Sequence, residues 1–95
     1  MKLSEGQISA LLSRLGQETP WTVEAGGLVR DFKFENFKAA MSFVNQVADV
    51  AEAMDHHPDI LVHGWNNVRL RVMTHDQNAL TEKDFKLAEQ VNQLR

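Results

Sequence analysis

Apolar residues along this chain recur at two different steps, and each change of step marks a new element. Leu3-Ser4-Glu5-Gly6-Gln7-Ile8 reads as a helix start. Ser4 can cap the first turn, Gln7 stands three residues on, and Leu3 and Ile8 are placed as a hydrophobic staple. Ile8, Leu11, Leu12 and Leu15 then share one helical face, and Gly16 supplies a stop. Thr19-Pro20 breaks any continuation. Trp21-Thr22-Val23 reads as a short strand, Glu24 to Gly27 as a turn, and Leu28 to Phe34 as a second strand. There the step is two: Leu28, Arg30, Phe32 and Phe34 point one way, and Val29, Asp31 and Lys33 the other. Arg30 breaks the apolar side and suggests a strand end or a partly open edge.

The step returns to three and four after Asn36, a candidate cap. Phe37, Ala40, Met41, Val44, Val47, Ala48 and Ala51 draw one stripe on the longest helix, which runs to about Met54. Phe43 and Val50 lie off that stripe. They either widen the core face or form a second apolar stripe for a partner subunit. Pro58 disfavours helical geometry in His57, so Asp55, His56 and His57 fall in the last turn or just beyond it. Ile60 to His63 reads as a strand, Gly64-Trp65-Asn66-Asn67 as a turn, and Val68 to Thr74 as the return strand, with Val68, Leu70 and Val72 inward. The last helix opens at Leu80-Thr81-Glu82-Lys83-Asp84-Phe85. Thr81 is its cap with Asp84 three residues on, and Leu80 and Phe85 form a staple. Leu87, Ala88, Val91 and Leu94 carry its apolar side. The order is α-β-β-α-β-β-α. Two hairpins split by a long helix predict an α+β fold, one antiparallel sheet with helices packed on one face. Its edge strands are open to pairing with another copy.

Composition narrows the options. At 95 residues the chain is expected to form a single domain, residues 1–95, with a thin core that oligomerisation would extend. A formal net charge of −3 argues against a general nucleic-acid binder. The absence of cysteine removes disulfides and thiolate zinc sites. No apolar run approaches the ~20 residues a membrane span needs, and Met1 to Glu5 has no apolar signal core. The expectation is a cytoplasmic protein without membrane contact.

The candidate chemistry sits in two short segments, Asp55-His56-His57-Pro58 and Thr74-His75-Asp76, which hold three of the four histidines. Histidine, with an unperturbed pKa of about 6.5, suits proton transfer near neutral pH. Two imidazoles on opposite sides of a small substrate can act as acid and base in one elimination. Glu52, Asp55 and Asp76 could orient them. Singly, a histidine at a helix end is a partner for the helix dipole. Zinc binding is the other option. It is disfavoured because adjacent His56 and His57 point apart and no two histidines stand four apart on a helix. His63 reads as a bystander at a hairpin tip. Trp65 reads either as a stacking platform or as a structural closure of the sheet edge.

Glu52-Ala53-Met54-Asp55-His56-His57-Pro58, Asn67-Val68, Thr74-His75-Asp76, Leu80 to Phe85 and Leu87-Ala88 together resemble the pterin-4a-carbinolamine dehydratases. Leu3-Ser4, Trp21, Phe32-Lys33-Phe34, Phe37, Ala40 and Phe43 fit the same pattern, so the similarity spans nearly the whole chain. The resemblance implies a four-stranded antiparallel sheet. It implies dehydration of 4a-hydroxytetrahydrobiopterin to quinonoid dihydropterin, which recycles the pterin of aromatic amino-acid hydroxylases. It implies no metal and no bound cofactor, the pterin being the substrate. It also implies a homodimer or homotetramer, joined at sheet edges and long helices, with Phe43 and Val50 facing the partner. Position by position, His56 and His75 match the family's acid–base histidines and His57 a substrate-binding one. Asp55 to Pro58 and Thr74, His75, Asp76 and Gln77 match pterin-touching segments, and Glu52 a nearby carboxylate. The alternative is a non-catalytic pterin-binding or dimerisation module, as in relatives that serve a homeodomain transcription factor as coactivators. The chain has Asn78-Ala79 where many members carry a Gly-containing pair. A positive φ there would fall to Asn78 more cheaply than to Ala79.

Overall fold

A computed structural model describes residues 1–16 and 20–94; Thr19 of the expected break lies outside the described residues. The elements are α1 (Glu5–Arg14), β1 (Thr22–Glu24), β2 (Gly27–Lys33), α2 (Phe37–Met54), β3 (Asp59–His63), β4 (Asn67–Val72) and α3 (Glu82–Asn92), the expected α-β-β-α-β-β-α order. The helices begin where local chemistry says they should. Gln7 N–H donates to Ser4 Oγ at 3.2 Å, and Ser4 N–H donates to Gln7 Oε1 at 2.8 Å. Ala39 N–H donates to Asn36 Oδ1 at 2.7 Å, and Thr81 N–H to Asp84 Oδ2 at 2.9 Å. Each cap satisfies donors that the first turn cannot pair internally.

The strands form one antiparallel sheet in the order β1-β2-β4-β3. The register pairs Leu28 with Val72, Arg30 with Leu70 and Phe32 with Val68. One side of the sheet therefore carries Leu28, Phe32, Val68, Leu70 and Val72, all buried. On it pack Ala40, Phe43 and Val47 of α2, Phe85, Leu87, Ala88 and Val91 of α3, and Leu3 and Leu15 flanking α1. Strand limits differ slightly from expectation. β1 starts at Thr22, because Trp21 turns inward, its indole N–H donating to Asn92 Oδ1 at 2.8 Å. β4 ends at Val72, and Thr74 instead forms an isolated bridge with Ala79.

Two expectations need correction. Phe43 widens the core face, one of its two readings, and is not partner-facing. It is buried, its ring centroid 4.6 Å from Phe32 and 5.1 Å from Phe34. The core face of α2 is centred on Ala40, Phe43, Val47 and Ala51, which leaves Phe37 exposed. The β1–β2 register ends at Val29, so Arg30 is the first residue of β2 past β1 and stands where a partly open edge was expected. Its guanidinium donates to Asn92 Oδ1 at 2.8 Å and lies 4.3 Å from the Phe32 ring centroid. Val29, expected to face outward, does so and is still buried. It sits opposite Arg71, whose side chain folds over Gly27 to donate to the Ala25 carbonyl at 2.6 Å.

Two turns use left-handed backbone. Ala25 (φ 50°) and Gly26 (φ 78°) form the two-residue β1–β2 hairpin, a geometry that suits the sheet twist but not an alanine. Asn78 (φ 49°) takes the positive φ in the segment before α3, and Ala79 does not.

Candidate functional site

The site is built where α2 ends, β4 ends and α3 begins. Helix α2 stops on Asp55, which adopts the left-handed conformation (φ 50°, ψ 44°). His56 N–H then returns to the Ala51 carbonyl at 3.1 Å. This closure satisfies an orphan helix carbonyl and turns the chain so that His56 points back under the helix. Beyond β4, Thr74 and Ala79 exchange N–H···O bonds of 3.0 and 3.4 Å, so residues 75–78 bulge out as a small loop. Gln77 and Asn78 N–H groups bond back to Thr74 and His75 carbonyls at 3.1 Å each.

A fully buried carboxylate joins these pieces. Asp84 Oδ1 lies 2.6 Å from His56 Nε2, and His56 is itself buried. Asp84 Oδ2 accepts from Thr74 Oγ1 at 3.0 Å and from Thr81 N–H at 2.9 Å. The Thr74 and Thr81 hydroxyl oxygens are 2.7 Å apart. Because Thr74 gives its proton to the carboxylate, Thr81 must donate to Thr74. An ionised carboxylate only accepts, so the proton between Asp84 and His56 sits on Nε2, and in the neutral ring the free lone pair is on Nδ1. Asp84 was legible in the sequence only as the capping partner of Thr81. Its contact with a histidine 28 residues away could not be read from spacing.

The cleft, about 380 Å³, is lined by Asp55, His56, His57, Pro58, Asp59, Thr74, His75, Asp76 and Lys83. Seven of these were expected; Asp59 and Lys83 were not. His75 and His57 are exposed at its wall. Two expected residues stand outside. Glu52 Oε2 is instead 2.6 Å from His57 Nε2, a pair with both partners largely in solvent. Its stabilising effect is small, but it orients the ring. Gln77 contributes its backbone to the loop rather than a wall. His63 and Trp65, at the β3–β4 hairpin, are exposed and line no part of the cleft. Among the described residues, no group of three or more His, Cys, Asp or Glu side chains is gathered as metal binding would require. No described helix is long and apolar enough to cross a membrane.

This arrangement offers an open cleft flanked by imidazoles from two segments, one of them held by a buried carboxylate. A family model described as pterin 4 alpha carbinolamine dehydratase matches residues 1–94. A protein of Sulfolobus acidocaldarius named "Putative pterin-4-alpha-carbinolamine dehydratase" is 41% identical over 95 residues, covering all of both chains. One of the same name from Chloroflexus aurantiacus is 45% identical over 93 residues, covering 98% of this chain and 96% of its own. Among solved structures, a transcriptional coactivator/pterin dehydratase from Brucella melitensis superposes with a TM-score of 0.87 at 32% identity. That match covers 99% of this chain and 98% of the other. A pterin dehydratase-like RuBisCO assembly factor of the alpha-carboxysome shares the fold, with a TM-score of 0.63 at 19% identity over 80% of this chain and 87% of its own. With the family model matched across residues 1–94 and relatives above 40% identity over the full length, the chain belongs to the pterin-4-alpha-carbinolamine dehydratase family.

Proposed function

We propose that this protein dehydrates a 4a-hydroxytetrahydropterin to the quinonoid dihydropterin, as a step of tetrahydropterin recycling, using His56 and His75 as the proton-transfer pair. The observation that carries the reading is that His56, fixed by buried Asp84, and His75, from the far end of β4, line one cleft. The N5 proton passes to His56 Nδ1, the lone pair that the Asp84 contact leaves free. The N5–H electrons form the C4a=N5 bond as the C4a–O bond breaks. The departing hydroxyl takes a proton from the His75 imidazolium and leaves as water. Solvent then returns the proton lost by His75 and removes the one gained by His56. His57, oriented by Glu52, and the backbone of Asp55 to Pro58 and of Thr74 to Asp76 hold the ring. Lone-pair push from N5 makes this an easy elimination, so positioned acid and base are sufficient help.

The test is loss of the carbinolamine's ultraviolet signal, with the substrate generated in situ. Replacing His56 and His75 together by Ala should slow turnover by at least about a hundredfold. Wild-type turnover in the folded double variant would end the assignment.

A further inference from the structure

Beside the cleft lies a second depression of about 450 Å³, whose lining includes Lys2, Gln7, Thr81, Glu82, Lys83 and Lys86. Two features join it to the cleft. Lys83 lines both. Thr81, on the floor of this groove, is hydrogen-bonded to Thr74 in the cleft wall. The groove is a product of the fold, because Leu3 N–H donates to the Leu80 carbonyl at 2.9 Å and thereby seats Lys2 beside the first turn of α3.

The charge in this groove opposes that of the chain. The protein carries a formal net charge of −3, yet three ammonium groups face one carboxylate, Glu82, here. None of Lys2, Lys83 and Lys86 forms an ion pair among the described residues, whereas both arginines of β4 are hydrogen-bonded. Gln7 spends its amide oxygen on the Ser4 N–H and keeps its NH₂ group to donate. Three lysines against one carboxylate, in a depression that shares Lys83 with the cleft, fit an anionic part of a ligand held there.

We propose that the groove receives the phosphate of a pterin whose C6 side chain ends in a phosphate ester, while the ring sits between His56 and His75. This deepens the dehydratase reading and rests on it for the ring's position. The lysines are exposed, so their attraction is screened and the preference is modest and salt-sensitive.

The experiment compares kcat/KM for two 4a-hydroxytetrahydropterins that differ only in a side-chain hydroxyl or its phosphate ester. The expected ratio, phosphorylated over hydroxyl, is about ten at low ionic strength and falls with added salt. In Lys2→Gln/Lys86→Gln it falls toward one. A wild-type ratio near one, or a ratio that the double variant leaves intact, overturns the proposal. If neither compound is turned over, the dehydratase reading fails by itself. The groove is then judged by NMR titration with a phosphorylated dihydropterin. Shifts at Lys2, Lys83 and Lys86 together with His56 and His75, weakened in the double variant, support it. Shifts that inorganic pyrophosphate reproduces with equal affinity, or none at all, overturn it.

Discussion

Replacing Asp84 by Asn should separate two roles of one side chain. The carboxylate is fully buried and accepts from three donors: His56 Nε2, the Thr74 hydroxyl and the Thr81 amide. Hydrogen bonds to a charged group contribute about 1.5–3 kcal/mol each, non-additively. Asn keeps one acceptor oxygen. If that oxygen stays with Thr74 and Thr81, its NH₂ group faces His56 Nε2 and forces that nitrogen to become the acceptor. The proton then moves to Nδ1, and the free lone pair there is lost. The net expectation is a loss of about 2–3 kcal/mol, two charged bonds made neutral and one inverted. At roughly 4–8 °C per kcal/mol for a domain of this size, Tm falls by about 8–24 °C. Turnover falls by about a hundredfold to ten-thousandfold, because the tautomer is wrong for base catalysis. Urea unfolding followed by circular dichroism measures the first, and turnover at 15 °C, where the variant stays folded, the second. Turnover within twofold of wild type, with an unshifted urea midpoint, would refute both the tautomer argument and the energetic one.

The hairpin residue Ala25, at φ 50°, should be improved by Ala25→Gly, with a gain of about 0.5–1 kcal/mol and a rise in Tm by calorimetry. A fall in Tm would show that the turn is not strained. Self-association is expected through α2 and the sheet edges, since half-buried Val50 and Met54 and exposed Ala53 lie in a groove between α2 and α3. Sedimentation should give two or four copies, and Ala53→Glu should lower that number. A monomeric wild type at micromolar concentration would remove this expectation.

What could be read from the chain divides by range. The caps at Ser4, Asn36 and Asp84 lie within three residues of the amides they answer, so the helix starts were legible. The alternation through β2 and β4 placed Leu28, Phe32, Val68, Leu70 and Val72 correctly, because pleating fixes the side of each residue. The face of α2 was rotated. Phe37 and Phe43 are equivalent by hydrophobicity, and only the positions of Phe32 and Phe34 on the sheet decide that Phe43 is covered. The tether of Arg30 was illegible for a similar reason, its partner Asn92 being 62 residues away. In the site, the positions of Asp55 to Pro58 and Thr74 to Asp76 followed from their element junctions, and the structure brings them into one cleft. Asp84 and Lys83 were missed as cleft residues because on their own helix each has a complete local explanation, as cap and as solvated lysine.

The Thr74–Ala79 bridge gives the cleft an unequal division of labour. Residues 75–78 leave and rejoin the scaffold at one doubly bonded pair. Lengthening or rewriting residues 76–78 alone would alter the rim that greets an arriving molecule, while His75 at its root and Thr74, Thr81 and Asp84 behind it keep their places. Selectivity can therefore drift, or be engineered, without dismantling the proton-handling end.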